Sequence, residues 1–241
     1  SSDYSDNLAT DNITDFCEEF IPFFDTLENA KMEIRTKSVN ISKLVKMQPA
    51  KNTEIAFSLN PESIISKYEP KTPSLDLRIK AINALLNAGW LVWVRFIPLL
   101  EVPDYEKIYR EFVEYVVKNI DFTKINSVFI WWLLYTKDDY NKIVNKNPHF
   151  ELLYNLEKNC DGYFRETRAA RDFFYKIFDE NNSNERYLEF TKKIIKDKRL
   201  KIKFPLGYSE QAILYGLELS TPNNNHSFVY HDIEWYPLLR R

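Results

Sequence analysis

An α/β fold with parallel strands is what this sequence predicts. Two short runs of strand-like composition, residues 32–37 and 54–60, precede a helical pattern, and a third run follows at residues 91–97. A helix that joins two consecutive strands is the unit from which parallel sheets are built. With 241 residues, of which 44% are hydrophobic and 15% aromatic, the chain is long enough to bury a core around such a sheet.

The first part of the chain predicts one helix followed by one strand. Residues 10–14 have the composition of a helix N-terminus, and large apolar residues recur after them at helical spacing. We expect these residues to face the core; they are Phe16, Phe20, Phe23, Phe24 and Leu27. The first strand ends at Lys37, and a short helix is predicted at residues 40–45.

The second strand leads directly into a pair of helices. Asn60 and Pro61 offer an N-cap and a first helical residue, so a helix is predicted at once after the strand. Ser74 begins the next helix by the same capping logic, and Ala88 and Gly89 end it immediately before the third strand. Strand, helix and strand therefore form a βαβ crossover of ordinary length.

The rest of the chain continues the alternation of helices and extended segments. Helices are predicted at residues 105–118, 140–147 and 169–180, and a buried strand at residues 127–134. An Asp-Gly turn is predicted at residues 159–162. Beyond a break at residues 181–184, the pattern predicts a helix at residues 185–196 and a strand at residues 199–204.

A cluster of basic residues lies in this C-terminal part. Its members are Lys192, Lys193, Lys196, Lys198, Arg199, Lys201 and Lys203. A solvated face explains such a cluster more simply than contact with nucleic acid, although the neighbouring Phe204 and Tyr208 suit stacking on bases. The net charge of -2 and the pI near 6.0 argue against a generally basic surface that coats nucleic acid.

Composition excludes several common kinds of site. The chain has four glycines and lacks both the GxGxxG and the GxxxxGK pattern, which excludes dinucleotide-binding and P-loop phosphate sites of these types. Its two cysteines, Cys17 and Cys160, are far apart and indicate neither a disulfide framework nor a zinc site, so we expect a reducing, cytoplasmic location. No run of about 18 apolar residues occurs. The chain begins with serine, and we expect it to be a portion of a longer protein.

Polar residues at the ends of the first two strands are candidates for a ligand site. Lys37 closes the first strand, and Ser58 and Asn60 close the second. In parallel α/β sheets, ligands bind where several strand ends converge. A lysine at such a position either is solvated or faces the ligand crevice, and the sequence leaves both readings open.

A succession of short motifs carries a family resemblance. In order they are Ser5 and Asp6, residues 11–14 (DNIT), residues 36–38 (TKS), residues 57–62 (FSLNPE), Tyr68 and Glu69, residues 72–75 (TPSL), Arg78, Ala88 and Gly89, Arg95 and Phe96, residues 152–154 (LLY), residues 161–165 (DGYFR) and Arg168. The chain thereby resembles radical S-adenosylmethionine enzymes of the spore photoproduct lyase family. No further motif is found after about residue 179.

The resemblance implies a fold, a cofactor and a set of residues. The fold is part of a (β/α) barrel, in which a 4Fe-4S cluster held by a CxxxCxxC loop cleaves S-adenosylmethionine to a 5′-deoxyadenosyl radical that attacks a thymine dimer in DNA. Lys37 and Ser58 match residues that contact S-adenosylmethionine, and Ser5 and Asp6 match a Ser-Asp pair near it. Lys37 is suited to pair with the methionine carboxylate, and we add Asn60 from its strand-end position.

Two departures from the family pattern limit what this chain does alone. The CxxxCxxC motif is absent, so either the cluster segment lies on a missing N-terminal portion or the cluster has been lost. Asp3 stands where the lyase has a cysteine that returns a hydrogen atom to the product radical, and a carboxylate is unsuited to that step. We therefore expect a lyase-like relative that is inactive as this chain alone, with a nucleic acid as a possible substrate.

Two alternatives remain open at the level of the whole chain. The first is the S-adenosylmethionine-binding half of a radical lyase-like protein. The second is a degenerate barrel without a cluster that acts as a structural or nucleic-acid-binding subunit of an assembly. In both, residues 1–180 form the barrel-like domain, and residues 181–241 form a C-terminal α/β extension of unknown role.

Overall fold

The computed structural model describes residues 6–149, 151–153, 157–158, 164–166, 168–181 and 219–220. The α-helices are α1 (Asp11–Thr14), α2 (Phe16–Asp25), α3 (Glu62–Tyr68), α4 (Leu75–Asn87), α5 (Tyr105–Asn119), α6 (Lys137–Lys146) and α7 (Arg168–Asn181). The strands are β1 (Met32–Thr36), β2 (Thr53–Leu59), β3 (Leu91–Leu99), β4 (Ser127–Trp132), β5 (Leu134–Thr136), β6 (Glu157–Lys158), β7 (Phe164–Glu166) and β8 (Leu219–Ser220). Short 3₁₀ helices lie at Leu44–Lys46 and Glu151–Leu153.

The main sheet confirms the predicted α/β class. Its strand order is β1-β2-β3-β4-β8, and β1 pairs parallel with β2, as β2 does with β3. The register joins Thr36 to Phe57 and Ser58 to Arg95. A second, antiparallel sheet has the order β5-β7-β6. The two helices α3 and α4 form the crossover between β2 and β3, as the sequence predicts.

The chain divides into two compact units. The first comprises Ser1–Phe96 and Glu114–Val128, and the second comprises Ile97–Val113 and Phe129–Arg241. The predicted division at residue 180 stays a prediction, because most residues after 181 lie outside the described part of the chain. Four further predictions also lie outside the described residues: the turn at residues 159–162, the helix at 185–196, the strand at 199–204 and the basic cluster.

Burial alternates along β1 in the first unit, whereas β2 is buried at every residue except Ser58. Ile55, Phe57 and Leu59 on one face of β2 are fully buried, and α4 buries Ile82 and Leu85. Apolar residues at every second strand position and at helical spacing place one face of each element in a shared core.

Aromatic residues form the core of the second unit. The ring of Phe174 packs edge-on against Tyr109, with 5.5 Å between centroids, and also contacts Phe112 and Phe178. The buried Tyr109 hydroxyl donates to the Leu100 carbonyl at 2.9 Å and accepts from the Leu100 N–H at 2.6 Å. Burial raises the pKa of this hydroxyl, so it stays protonated and keeps both hydrogen bonds.

Helix α4 begins and ends where the sequence predicts. The Ser74 side chain accepts a hydrogen bond from the Leu77 N–H, which caps the first turn. At the other end, Gly89 has φ of +89°, and the N–H groups of Gly89 and Trp90 bond to the carbonyls of Leu86 and Leu85. These two bonds are those of a Schellman motif, which directs the chain into β3.

The prediction that the phenylalanine stripe of the first helix faces the core is wrong for Phe20 and Phe23. Asp15 has φ of 53° and interrupts the helix, and α2 buries Cys17 and Ile21 instead. Phe20 and Phe23 are 47% and 57% exposed. Phe16, Phe24 and Leu27 are half-buried, so the predicted stripe is covered only in part.

Two further differences are local. The helix predicted at residues 40–45 is reduced to the 3₁₀ turn Leu44–Lys46, and the strand predicted at residues 127–134 is divided into β4 and β5.

Among the described residues, no helix is both long and apolar enough to cross a bilayer.

Candidate functional site

One face of the sheet in the first unit is polar. Side chains alternate along a strand, so Glu33 and Arg35 of β1 point to the face opposite Ile34. Through the register, Ser58 of β2 and Arg95 of β3 lie on the same face. Ser58 is the one residue of β2 that is not buried. The residues of this face that are buried are Glu54, Ala56, Trp93 and Arg95, so its partly exposed polar groups lie along β1 and at Ser58.

Ion pairs organise the middle of this polar face. The Glu33 carboxylate accepts from Arg35 Nε and from an Arg95 amino group, both at 2.7 Å. Glu33 and Glu54 are neighbours in the register, and Lys31 Nζ lies 3.2 Å from Glu54 Oε1. Each carboxylate therefore has a cationic partner, which compensates for two like charges on adjacent strands.

Asp6 closes the loop that follows β1. Its carboxylate accepts hydrogen bonds from the Thr36 hydroxyl at 2.8 Å and from the backbone N–H groups of Lys37 and Ser38 at 2.8 and 3.3 Å. The Ala9 N–H donates to it at 3.1 Å. These contacts fix the backbone from which the Lys37 side chain extends. Asp6 therefore stabilises the loop after β1, although it does not belong to that strand.

Lys37 meets a buried carboxylate. Its ammonium lies 2.9 Å from Glu69 Oε1, and its side chain is 34% exposed against 6% for Glu69. The Asn60 side-chain amide donates to the same oxygen at 2.8 Å. The predicted N-cap role of Asn60 is therefore wrong: α3 begins at Glu62 without a side-chain cap, and Asn60 faces Glu69 instead.

Arg78 completes this cluster from α4 and is fully buried. Its guanidinium donates to Glu69 Oε2 at 2.7 Å and to the Thr72 hydroxyl at 2.7 Å. It also donates to the carbonyls of Pro73 and Ser58, both at 2.9 Å. A buried charge of this kind is stable only because it is paired and hydrogen-bonded on every side.

The electrostatics of Glu69 follow from these partners. Burial works to raise the pKa of its carboxyl, but the charge of Lys37 and the hydrogen bonds from Lys37 and Arg78 outweigh burial and hold the pKa below its usual value. Glu69 is therefore ionised at neutral pH. It is a fixed negative charge directly behind the Lys37 ammonium.

The structure brings most of the candidate residues to one end of the parallel strands. Lys37 and Ser58 follow paired residues of β1 and β2, and both are partly exposed. Asp6 and Asn60 reach the same end, but their side chains bind protein groups around Lys37. Ser5 and Asp3 lie outside the described residues.

Sequence reasoning missed the supporting cluster of Glu69, Thr72 and Arg78. All three lie within the motifs that carry the family resemblance, and that was the available signal. Arg78 also stands on the buried face of α4 between Leu75 and Ile79, where a charged residue is unusual.

Metal ligands are not assembled in the described part of the chain. No group of three or more His, Cys, Asp or Glu side chains there could hold a metal ion. Cys17 is fully buried, and burial together with the nearby Asp11 raises the pKa of its thiol to about 12. A buried neutral thiol is unsuited to bind iron, which needs thiolates.

Comparison with protein families and sequences gives a consistent match. The family model "Spore photoproduct lyase" matches residues 1–201, which extends past the last motif noted above. The chain is 27% identical to spore photoproduct lyase of Clostridium acetobutylicum over 153 residues, covering 61% of this chain and 44% of that protein. It is 27% identical to that of Bacillus subtilis over 110 residues, or 46% of this chain and 32% of that protein. The chain thus spans less than half of the length of these relatives.

Solved structures show the same fold. A mutant of spore photoproduct lyase with bound AdoMet and dinucleoside spore photoproduct matches with a TM-score of 0.62 at 18% identity. Spore photoproduct lyase complexed with dinucleoside spore photoproduct matches with a TM-score of 0.63 at 17% identity. Each match covers 76% of this chain and 58% of the other. Since the family model covers most of the sequence, the chain belongs to the spore photoproduct lyase family.

Proposed function

We propose that this chain is the S-adenosylmethionine-binding half of a radical lyase-like protein. The observation that carries the proposal is the position of Lys37 and Ser58. They are partly exposed polar residues at the ends of two adjacent parallel strands. The ends of parallel strands are where ligands bind in α/β proteins. The AdoMet-bound structure of a family relative supports the choice of ligand.

The methionine end of S-adenosylmethionine fits the chemistry of these residues. Its carboxylate would pair with the Lys37 ammonium, and the Ser58 hydroxyl would hydrogen-bond one of its polar groups. Asp6 would act indirectly, because its carboxylate is occupied by the backbone of the loop that presents Lys37. Asn60 would also act indirectly, through Glu69. Ser5 belongs to the proposed site by family resemblance alone.

The cluster and the substrate belong to the larger protein that we propose. A 4Fe-4S cluster on a segment outside this chain would supply the electron for radical chemistry, because this chain has two cysteines and no CxxxCxxC motif. The solved structure of a relative complexed with dinucleoside spore photoproduct supports a nucleic acid lesion as the substrate class. The complete protein would then be a cytoplasmic DNA-repair-type lyase, and this chain alone would be inactive.

The proposal is tested by the affinity of the chain for S-adenosylmethionine, measured by isothermal titration calorimetry. We expect Lys37→Met to weaken binding about 10- to 100-fold, because hydrogen bonds to charged groups contribute about 1.5–3 kcal/mol. The matched control is Lys51→Met, which removes an exposed lysine of the same unit and should leave the affinity unchanged.

Two outcomes would contradict the proposal. One is wild-type chain that does not bind S-adenosylmethionine, and the other is Lys37→Met chain that binds it as tightly as the wild type. Either result would favour the alternative, in which the chain is a degenerate barrel without a cluster that acts as a structural or nucleic-acid-binding subunit of an assembly.

A further inference from the structure

We propose that Glu69 is the positioning residue that directs the Lys37 ammonium toward the ligand, and that the buried Arg78 fixes Glu69 in place. This inference rests on the proposed function of Lys37 and extends it. It assigns a positioning role to two buried charged side chains, the carboxylate of Glu69 and the guanidinium of Arg78.

The Glu69 carboxylate joins three parts of the fold through hydrogen bonds and an ion pair. Three donors reach its carboxylate from three different parts of the fold: Lys37 after β1, Asn60 after β2, and Arg78 from α4. The three distances lie between 2.7 and 2.9 Å. A carboxylate with donors on both oxygens cannot turn without breaking one of these bonds, so its orientation is fixed.

Arg78 connects the Glu69 carboxylate to β2, the strand that carries Ser58. One guanidinium nitrogen donates to Glu69, and another donates to the Ser58 carbonyl. Arg78 is fully buried and is also held by Thr72 and Pro73. The planar fork of arginine is suited to hold several acceptors in a set geometry. The positions of Lys37 and Ser58 therefore depend on one buried side chain.

Exposure separates the positioning residue from the binding residue. Glu69 is 8% exposed, and both of its oxygens already accept hydrogen bonds, so a ligand has little access to it. Lys37 is about one-third exposed, and its ammonium carries three donors, of which one points at Glu69. Ordering a lysine side chain is entropically unfavourable. An ammonium held in advance by Glu69 avoids part of that loss when a carboxylate binds.

The test compares two ligands that differ in one group. Lys37 is proposed to meet the carboxylate of S-adenosylmethionine, whereas decarboxylated S-adenosylmethionine lacks it. In Glu69→Gln chain, we expect affinity for S-adenosylmethionine to fall about 2- to 10-fold, the range given by ordering one side chain. Affinity for the decarboxylated analogue should change less than about 2-fold. Asp76→Asn, which removes the exposed partner of Lys80, is the control and should change neither affinity.

The double variant, Glu69→Gln with Lys37→Met, measures the energetic coupling between Glu69 and Lys37. If Glu69 acts through Lys37, then Glu69→Gln weakens S-adenosylmethionine binding in the wild-type chain but not in Lys37→Met chain. A merely structural role predicts equal losses for both ligands and the same loss with or without Lys37. Equal losses, or tighter binding in Glu69→Gln chain, would overturn the inference. Should Glu69→Gln chain not fold, Glu69→Asp, which keeps the charge and shortens the side chain, takes its place with the same expectations.

A second measurement does not depend on the cofactor. An amine-reactive reagent at limiting concentration, read by mass spectrometry, gives the labelling rate of Lys37 relative to Lys51 in the same molecule. We expect Lys37 to react faster in Glu69→Gln chain, because its ammonium is no longer held. An unchanged ratio would overturn the positioning role. If instead the ratio rises but wild-type chain binds no S-adenosylmethionine, the positioning of the amine stands and the proposed function fails.

Discussion

Among single residues, the buried Arg78 is the one that we expect to contribute most to the stability of the cluster around Glu69. Replacing it by methionine keeps the volume but leaves the Glu69 charge buried with one partner fewer. Breaking a buried pair destabilises a protein by about 3–5 kcal/mol. We expect Arg78→Met to lower the free energy of unfolding by that amount, measured by urea denaturation.

Lys80→Met is the control for Arg78→Met. It lies two residues further along the same helix and pairs with Asp76 at the surface, with 70% of its side chain exposed. Surface pairs contribute about 0–1 kcal/mol, so the control should unfold almost as the wild type does. Equal losses for the two variants would show that Arg78 is not the anchor of the cluster.

Acid should destabilise the wild-type chain partly through Glu69. Its pKa is lower in the folded chain than its usual value of 4.5, so the unfolded state binds the proton more readily. The stabilisation is therefore present above pH 4.5 and is lost as the pH falls through the folded-state pKa. We expect the urea midpoint of Glu69→Gln chain to depend less on pH below this value than that of the wild type. If the urea midpoints of the two proteins changed equally with pH, Glu69 would not be a source of the acid destabilisation.

Single residues also show what the sequence could predict of the site. Lys37 and Ser58 were identifiable as candidates because strand ends in a parallel sheet converge, and this rule needs only the strand pattern. The contacts of Glu69 and Arg78 join residues from different elements, and no local pattern encodes which partner each will meet. The same limit explains Asn60, whose local sequence fits an N-cap although its amide binds Glu69.

At the scale of elements, the connection from α4 to β3 depends on Gly89. Its φ of +89° is a conformation that side chains with a Cβ rarely adopt. We expect Gly89→Ala to destabilise the chain by about 1–2 kcal/mol in urea denaturation. Gly89→Asn should destabilise it less, because asparagine tolerates positive φ better. A neutral Gly89→Ala would mean that the turn relaxes to another geometry.

Elements differ in how well their patterns predict them. The strands β1 to β3 and the helix α4 were predicted because alternation, capping and the Gly stop all agree there. In α2 the phenylalanine spacing predicts a helix correctly, yet the buried face is set by Cys17 and Ile21. Hydrophobic spacing defines the stripes of a helix, but the fold decides which stripe is covered.

At the scale of the whole molecule, composition and topology set different limits. The parallel sheet followed from the succession of strand, helix and strand, and the family followed from short motifs spread along the chain, of which residues 36–38 and 57–62 lie at strand ends. The division into two compact units did not follow, since its boundaries fall inside β3, α5 and β4 rather than at a linker. A boundary inside regular structure leaves no compositional signal.

By itself, this chain is not expected to hold an iron-sulfur cluster. The proposal places the cluster ligands outside this chain, which contains two cysteines, and the thiol of Cys17 is buried with a pKa raised to about 12. An iron-sulfur cluster needs several thiolates in one place. We expect anaerobic reconstitution of the purified chain with iron and sulfide to give no stoichiometric iron and no cluster absorption, while a ferredoxin treated in parallel takes up its cluster. A chain that binds a 4Fe-4S cluster by itself would show that its cysteines, or ligands of another kind, suffice, and the proposed division of labour between two segments would then be wrong.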